Sequence, residues 1–179
     1  MDIQTILVPV DFSVCSLGVV RQATALAGKL GARIELVHVG DLPPGITPDT
    51  RIVADGHREA AGAVLSRDAL ARMAPFEAVA RGEGVPVGSR EVFGPIASTL
   101  LQAVDDAGAD LVVMGTHGRS GLARIVLGSV AEAVVHGATV PVMLIRRQPR
   151  PECGRDDCDW CAHGGRSLAE DRIDAEQQG

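Results

Sequence analysis

The sequence predicts an α/β fold in which an open parallel sheet of five strands carries helices on both faces. The chain has 179 residues and is 46% hydrophobic, yet it contains only three Phe, one Trp and no Tyr. Its core must therefore consist of aliphatic residues, and short blocks of branched aliphatics are typical of buried parallel strands. These blocks alternate along the chain with segments of helical apolar spacing, which is the order expected for a parallel sheet. Right-handed crossovers are assumed.

The five predicted strands are rich in Val, Ile and Leu. They cover residues 3–9, 33–39, 85–92, 110–114 and 140–145. The third strand is the weakest prediction, because Pro86 and Gly88 interrupt it. In sheets of this kind, ligands bind beyond the carboxyl ends of the strands, where the strand order reverses.

The first predicted helix covers residues 14–30, where apolar residues recur at helical spacing. Either Asp11 or Ser13 can cap its start, and Gly31 ends it. A loop over residues 40–53 follows the second strand and is longer than most connections in compact domains.

The remaining helices are also predicted from apolar spacing. Residues 55–81 are interpreted as one long helix, and Gly94-Pro95 opens the next, with proline near its first position. A short helix over residues 129–136 precedes the last strand.

Charge and composition exclude several classes of function. The net charge is −6, and Lys29 is the only lysine, so the chain lacks the basic field that duplex nucleic acid requires. The N-terminus shows no basic segment before an apolar stretch, and no apolar run reaches the roughly 20 residues that span a bilayer. We therefore expect a cytoplasmic protein without a membrane or nucleic-acid partner.

The chain divides into a body over residues 1–147 and an acidic extension over residues 148–179. The extension holds four arginines and eight acidic residues, so it carries −4 of the total charge. Gln148 to Pro151 is a linker candidate, and the polar segment after it cannot fill a core of its own.

A glycine-rich stretch, GTHGRSGLARIVLGS, follows the fourth strand at residues 115–129. It matches neither the G-x-G-x-x-G dinucleotide fingerprint nor the P-loop, which needs a lysine. Its own spacing is Gly115-x2-Gly118-x9-Gly128-Ser129. Gly118 permits close approach of the backbone, and a helix that begins after Gly128 offers free N–H groups to an anion. The Ser129 hydroxyl either caps that helix, in the S-x-x-E box with Glu132, or faces a phosphate.

This spacing, together with the start Ile-Leu-Val-Pro-Val-Asp-Phe-Ser at residues 6–13, resembles the universal stress protein family over residues 1–147. The resemblance implies an open sheet of strand order 3-2-1-4-5, a Rossmann-like fold related to the adenine nucleotide alpha hydrolases. It also implies a homodimer formed through the last strand, Val140–Ile145. The glycine pattern is that of the family's ATP-binding branch, so ATP, with or without Mg²⁺, is the expected ligand.

The resemblance assigns the nucleotide contacts by position. Asp11, flanked by Pro9 and Val10, would contact the ribose or adenine region, and Val39 would pack near the adenine. The ribose and phosphate path would be lined by Met114, Gly115, His117, Gly118 and Arg119. Phosphates would be held by Gly128, Ser129 and Val130.

The pattern favours binding ATP over consuming it. His117 is the one candidate general base in the stretch, but its backbone is the more expected contact. No nucleophile elbow is present. Any ATP hydrolysis is expected to be slow or absent, and the predicted role is a nucleotide-dependent dimeric switch in stress adaptation.

The extension carries a second candidate site with the spacing Cys153-x4-Cys158-x2-Cys161-x-His163. Three thiolates and one imidazole match a structural zinc site. A reversible disulfide between two of these cysteines is an alternative, and an acidic tail with incidental thiols is another. A metal or thiol-redox sensor on a dimeric α/β platform is therefore the alternative function.

Overall fold

The computed structural model describes residues 2–42, 44–54, 56–116 and 127–146. The order of elements is β1 (Thr5–Pro9), α1 (Val14–Leu30), β2 (Arg33–Gly40), β3 (Arg51–Ala54), β4 (His57–Ala60), α2 (Ala61–Gly82), β5 (Val87–Phe93), α3 (Ile96–Ala107), β6 (Leu111–Gly115), α4 (Ser129–Gly137) and β7 (Val142–Ile145). In the described part of the chain, no helix is both long enough and apolar enough to cross a membrane.

Five strands form one parallel sheet in the order β5-β2-β1-β6-β7. If the five strands of this sheet are numbered 1 to 5 along the chain, their order is 3-2-1-4-5. The predicted fold class and strand order are therefore confirmed. The strand predicted to be weak is fully paired, because Val87–Phe93 lies in register with Ile34–Gly40. The order reverses between β1 and β6, which places a binding crevice at their carboxyl ends.

The two faces of the sheet bury separate apolar layers. On one face, α1 and α2 cover Ile6, Val8, Ile34 and Leu36, all fully buried with Phe76 of α2. On the other face, α3 and α4 cover the alternating residues of the same strands, among them Leu7, Val37, Val112 and Met114. Alternation along each strand thus supplies both layers with aliphatic side chains.

The ends of α1 agree with the sequence prediction, and they decide whether Asp11 or Ser13 caps the start of the helix. Ser13 is the N-cap, and its hydroxyl accepts a hydrogen bond from the Ser16 N–H. Gly31 ends the helix in the left-handed region at φ 69°, a conformation that glycine adopts without steric cost. Asp11 is therefore not the helix cap.

The segment between β2 and α2 departs from the prediction. Residues 51–54 and 57–60 form an antiparallel hairpin, with Arg51 opposite Ala60 and Ala54 opposite His57. The long helix therefore begins at Ala61, and the predictions of a loop to residue 53 and a helix from residue 55 were wrong. The hairpin is anchored at its base, where the Ala61 N–H donates to the Thr50 carbonyl and Gly62 packs against Pro48. These contacts stabilise the hairpin, although the apolar spacing after residue 55 is that of a helix.

Candidate functional site

A cavity of about 630 Å³ lies at the carboxyl edge of the sheet. It is bounded by the ends of β1, β2 and β6 and by the first turns of α1 and α4. This is the position where the strand order reverses. The cavity also reaches α2, which packs on the same face of the sheet as α1. The volume is in the range of small-molecule and cofactor sites, roughly 300–1,000 Å³.

The loop after β1 contributes a carboxylate to the lining of this cavity. Oδ1 of Asp11 accepts hydrogen bonds from the Ser13 N–H at 3.0 Å, the Ser13 hydroxyl at 2.6 Å and the Ser16 hydroxyl. The preceding residue continues the sheet edge, because the Val10 N–H donates to the Val37 carbonyl at 2.8 Å. Asp11 is thereby fixed in orientation before any ligand binds.

Phe12 follows in a backbone conformation that is rare for an L-residue, with φ at 62°. Its ring lies 4.2 Å from the ring of His38 and 6.2 Å from that of Phe76, centroid to centroid. The guanidinium of Arg72 covers the ring at 4.1 Å. Contacts on several sides of the ring hold Phe12 in this strained backbone conformation. Strain of this kind is typical of ligand sites.

His38 joins β2 to the same loop. Its Nδ1 lies 2.7 Å from the Val10 carbonyl oxygen. Because a carbonyl can only accept, Nδ1 carries the hydrogen in this bond. The imidazole therefore braces the end of β1 against the end of β2.

The first turn of α4 faces the cavity from the other side. Its N-cap is Gly128, in an extended conformation with φ −72° and ψ 150°, and Ser129 is the first helical residue. The capping-box alternative required Ser129 at the N-cap, so it was wrong. The Gly128 N–H donates to the Thr116 carbonyl at 2.8 Å. The N–H groups left for a ligand are thus those of the residues that follow, starting with Ser129 and Val130.

Nine of the twelve predicted nucleotide contacts lie in the described residues, and all nine line this one cavity. They are Pro9, Val10, Asp11, Val39, Met114, Gly115, Gly128, Ser129 and Val130. The other three, His117, Gly118 and Arg119, lie outside the described residues.

The candidate metal ligands Cys153, Cys158, Cys161 and His163 also lie outside the described residues. Within residues 2–42, 44–54, 56–116 and 127–146, no group of three or more His, Cys, Asp or Glu could hold a metal ion. The zinc prediction therefore stays a prediction.

Sequence reasoning missed the residues that reach the cavity from the α2 side. The polar ones are His38, Asp68, Arg72 and Glu91. Asp68 and Arg72 stand one turn apart on α2, and Glu91 is the register partner of His38. The polar residue His38 inside the strand RIELVHV was the available signal, but the packing of α2 could not be predicted from spacing alone.

The universal stress protein family profile matches residues 2–146 of the chain. The chain belongs to this family. A universal stress protein of Methanocaldococcus jannaschii, MJ0531, is 31% identical over 147 residues, which are 82% of this chain and 84% of the relative. A mycobacterial universal stress protein is 48% identical over 63 residues, but these are only 21% of that longer relative.

Solved structures of the family share the fold. The structure of the M. jannaschii protein MJ0577 has a TM-score of 0.67 at 23% identity and covers 84% of this chain and 100% of its own. A universal stress protein in complex with cAMP has a TM-score of 0.63 at 24% identity and covers 81% of this chain and 98% of its own. One from Archaeoglobus fulgidus in complex with dAMP has a TM-score of 0.57 at 22% identity and covers 81% and 99%.

Proposed function

We propose that this universal stress protein binds ATP, with or without Mg²⁺, in the cavity at the carboxyl edge of its sheet. The observation that carries the proposal is the convergence of all nine described candidate contacts on that cavity. Adenine nucleotides occupy two relatives of the same fold, one with cAMP and one with dAMP.

The chemistry of the cavity supports each part of an adenine nucleotide. The side chains of Val39 and Met114 provide apolar surface for a base, and the oriented Asp11 carboxylate suits ribose hydroxyls. The α4 N-terminus provides N–H groups and a favourable dipole for phosphate. Gly128 leaves this entrance open because it lacks a side chain. His117, Gly118 and Arg119 would complete the phosphate path.

Binding is tested by isothermal titration of ATP into the wild-type protein and the Gly128→Val variant. Valine adopts the extended conformation of Gly128 without strain, so we expect the variant to keep the fold and its side chain to obstruct the proposed phosphate path. We expect ATP affinity to fall at least about tenfold. Gly82→Val, in the last turn of α2 with open space around it, is the matched control. Absence of ATP binding to the wild type would overturn the proposal.

We further propose that the protein acts as a cytoplasmic dimeric switch rather than an efficient enzyme. β7 is the outermost strand of the five-stranded sheet, and within the described residues its outer edge has no strand partner. A second copy pairing through β7 would extend the sheet. ATP would then change dimer stability, which a regulatory partner in stress adaptation would detect. Multiple-turnover ATP hydrolysis that His117→Ala abolishes would contradict this role.

A zinc or thiol-redox sensor remains the second candidate function, and the spacing of Cys153, Cys158, Cys161 and His163 favours it. Native mass spectrometry of the purified protein resolves bound nucleotide, bound metal and dimer mass in one spectrum. We expect one zinc per chain that survives dialysis and is lost in Cys158→Ser but not in Cys15→Ser. Zinc-free protein after incubation with zinc would remove the metal candidate.

A further inference from the structure

The hairpin of β3 and β4 turns one of its two faces toward α2. Ile52 and Glu59 are register partners, so their side chains share this inner face, and both residues are half-buried. The carboxylate of Glu59 accepts hydrogen bonds from both terminal guanidinium nitrogens of Arg67 in α2. This bidentate contact and the backbone hydrogen bonds at the hairpin base hold the hairpin against the start of α2.

The outer face of the hairpin carries two arginines and one apolar residue, and all three are exposed: Arg51, Val53 and Arg58. Val53 is the register partner of Arg58 and stands two residues after Arg51, so the three side chains project to the same side. We name these three residues the arginine face. Val53 is 71% exposed, the largest exposure among the large apolar residues that the structure describes.

The two arginines of this face form no ion pair with any described residue. By contrast, the three arginines of α2, Arg67, Arg72 and Arg81, each form one. Because Arg51 and Arg58 share one face of a two-stranded pair without a counter-charge, they form a local positive site on a chain whose net charge is −6. Such a face favours a partner that supplies carboxylates together with apolar surface.

The acidic extension of the same chain contains a segment with the complementary pattern. Residues 156–160 read Asp-Asp-Cys-Asp-Trp, so three acidic residues stand close before Trp160, which is the only tryptophan of the chain. An indole in a polar segment without a core of its own is stabilised by packing on an exposed apolar residue such as Val53. Exposed ion pairs contribute little individually, but tethering to the same chain raises the effective concentration of the segment at the hairpin.

The extension follows β7, which ends at the same edge of the sheet from which the hairpin departs. All five strands are parallel, and the hairpin lies between the carboxyl end of β2 and the start of α2. β7 and β2 are three strand spacings apart, or about 14 Å. The eleven residues from Ile145 to Asp156 would span at most roughly 36–40 Å if extended. This length is sufficient to bring the segment to the hairpin.

We propose that residues 156–160 dock on the arginine face of the hairpin of the same chain. Carboxylates of the segment pair with Arg51 and Arg58, and the indole of Trp160 packs against Val53. This contact does not depend on the proposed nucleotide site. It gives the hairpin a role as the surface that holds the acidic extension against the body.

The single tryptophan makes docking directly measurable, because all tryptophan fluorescence of the chain comes from Trp160. Acrylamide quenching of the full chain in reducing buffer is compared between the wild type and the double variant Arg51→Gln with Arg58→Gln. We expect quenching of the double variant to be at least about twofold stronger, since a packed indole is shielded from solvent. Added salt should raise quenching of the wild type toward that of the double variant, because exposed charge pairs are screened.

A charge reversal separates docking from any local effect of the substitutions. Arg51→Glu with Arg58→Glu should expose Trp160 at least as much as the glutamine variant, because like charges then face each other. Adding Asp157→Arg with Asp159→Arg to this reversed hairpin should restore the protection of Trp160. A failure of the combined variant to regain protection would contradict direct pairing between the segment and the hairpin.

The matched control is Arg21→Gln with Lys29→Gln, which removes the same number of charges from exposed positions of α1 and should keep the wild-type quenching. Unfolding midpoints show that each variant is folded. Equal quenching in the wild type and the hairpin double variant would overturn the proposal, since a shield within the extension, such as bound zinc, does not depend on the hairpin. Protection that disappears on dilution would also overturn it, because the segment would then bind a second copy of the chain.

Discussion

The N–H of Gly128 donates a hydrogen bond to the carbonyl of Thr116 over 2.8 Å, which joins the residue before α4 to the residue after β6. Thr116 is in turn held by the last strand, since its own N–H donates to the Ile145 carbonyl at 3.1 Å. The start of α4 is thereby fixed to the end of β6. These two hydrogen bonds set the orientation of the α4 turn that is proposed to bind phosphate.

Ser129→Ala should weaken ATP binding by about tenfold, because the hydroxyl of the first residue in α4 is proposed to donate to a phosphate. The helix should remain intact, since Gly128 and not Ser129 is its N-cap. Ser98→Ala, which removes a hydroxyl bonded to the Pro95 carbonyl in the first turn of α3, is the matched control. Isothermal titration measures both affinities. Unchanged ATP affinity in Ser129→Ala would show that this hydroxyl does not contact the ligand.

Gly31→Ala should destabilise the protein by about 1 kcal/mol, because alanine is strained in the left-handed conformation at the end of α1. Open space surrounds the site, so the loss isolates the backbone effect. Gly18→Ala, exposed in the interior of the same helix, should instead stabilise by about 0.5–1 kcal/mol. Urea unfolding measures both changes, and a shift of the same sign in the two variants would contradict the argument.

Asp110→Asn should make the protein less stable at neutral pH, with the difference disappearing in acid. Oδ2 of Asp110 accepts from the Gln4 and Thr5 N–H groups, and these bonds hold its pKa below the ordinary value of 3.8. A lowered pKa contributes stability above 3.8 that is lost as the pH falls through the folded value.

The measurement is the unfolding free energy of wild type and Asp110→Asn at pH 7 and at several values below 4. Asp49→Asn, an exposed loop residue, is the control. A difference that stays constant from neutral to acidic pH would mean that the charge on Asp110 contributes nothing.

Met143→Lys should weaken the proposed homodimer by at least about tenfold. Met143 lies on the edge strand β7 and is 45% exposed in the single chain, so a dimer through this strand would place it at or near the interface. A lysine ammonium loses hydration when it is buried there. Sedimentation velocity over a range of concentrations gives the dissociation constant. Val53→Lys, on the hairpin with 71% exposure, should leave it unchanged, and a wild type that is monomeric throughout would refute the dimer.

The parts of the fold predicted correctly are those set by local sequence. The blocks TILVP, RIELVHV and LVVM are strands in any context that covers both faces, and Gly31 marks the end of α1 by its conformation alone. The strand order came from the family resemblance. The register that placed Pro9, Val39 and Gly115 at one edge then followed from the parallel arrangement.

The features that the sequence did not predict have a different cause, because they depend on tertiary contacts. The Arg51–Ala60 hairpin has short strands of mixed polarity, and its base contacts Pro48 and Thr50 lie outside it. Glu91 and His38 are far apart in sequence and meet only through the β2–β5 register. Arg72 reaches the cavity because α2 packs over Phe12, a contact that no helical spacing encodes.

The unusual backbone of Phe12 couples the proposed ligand site to α2. Its ring contacts Arg72 of α2 and His38 of β2, and its backbone directly follows Asp11 in the proposed ligand site. The left-handed conformation leaves this residue few alternative positions. Any shift of the Asp11 loop must therefore carry α2 with it or break a ring contact. One aromatic ring thus ties the position of the loop after β1 to the position of α2.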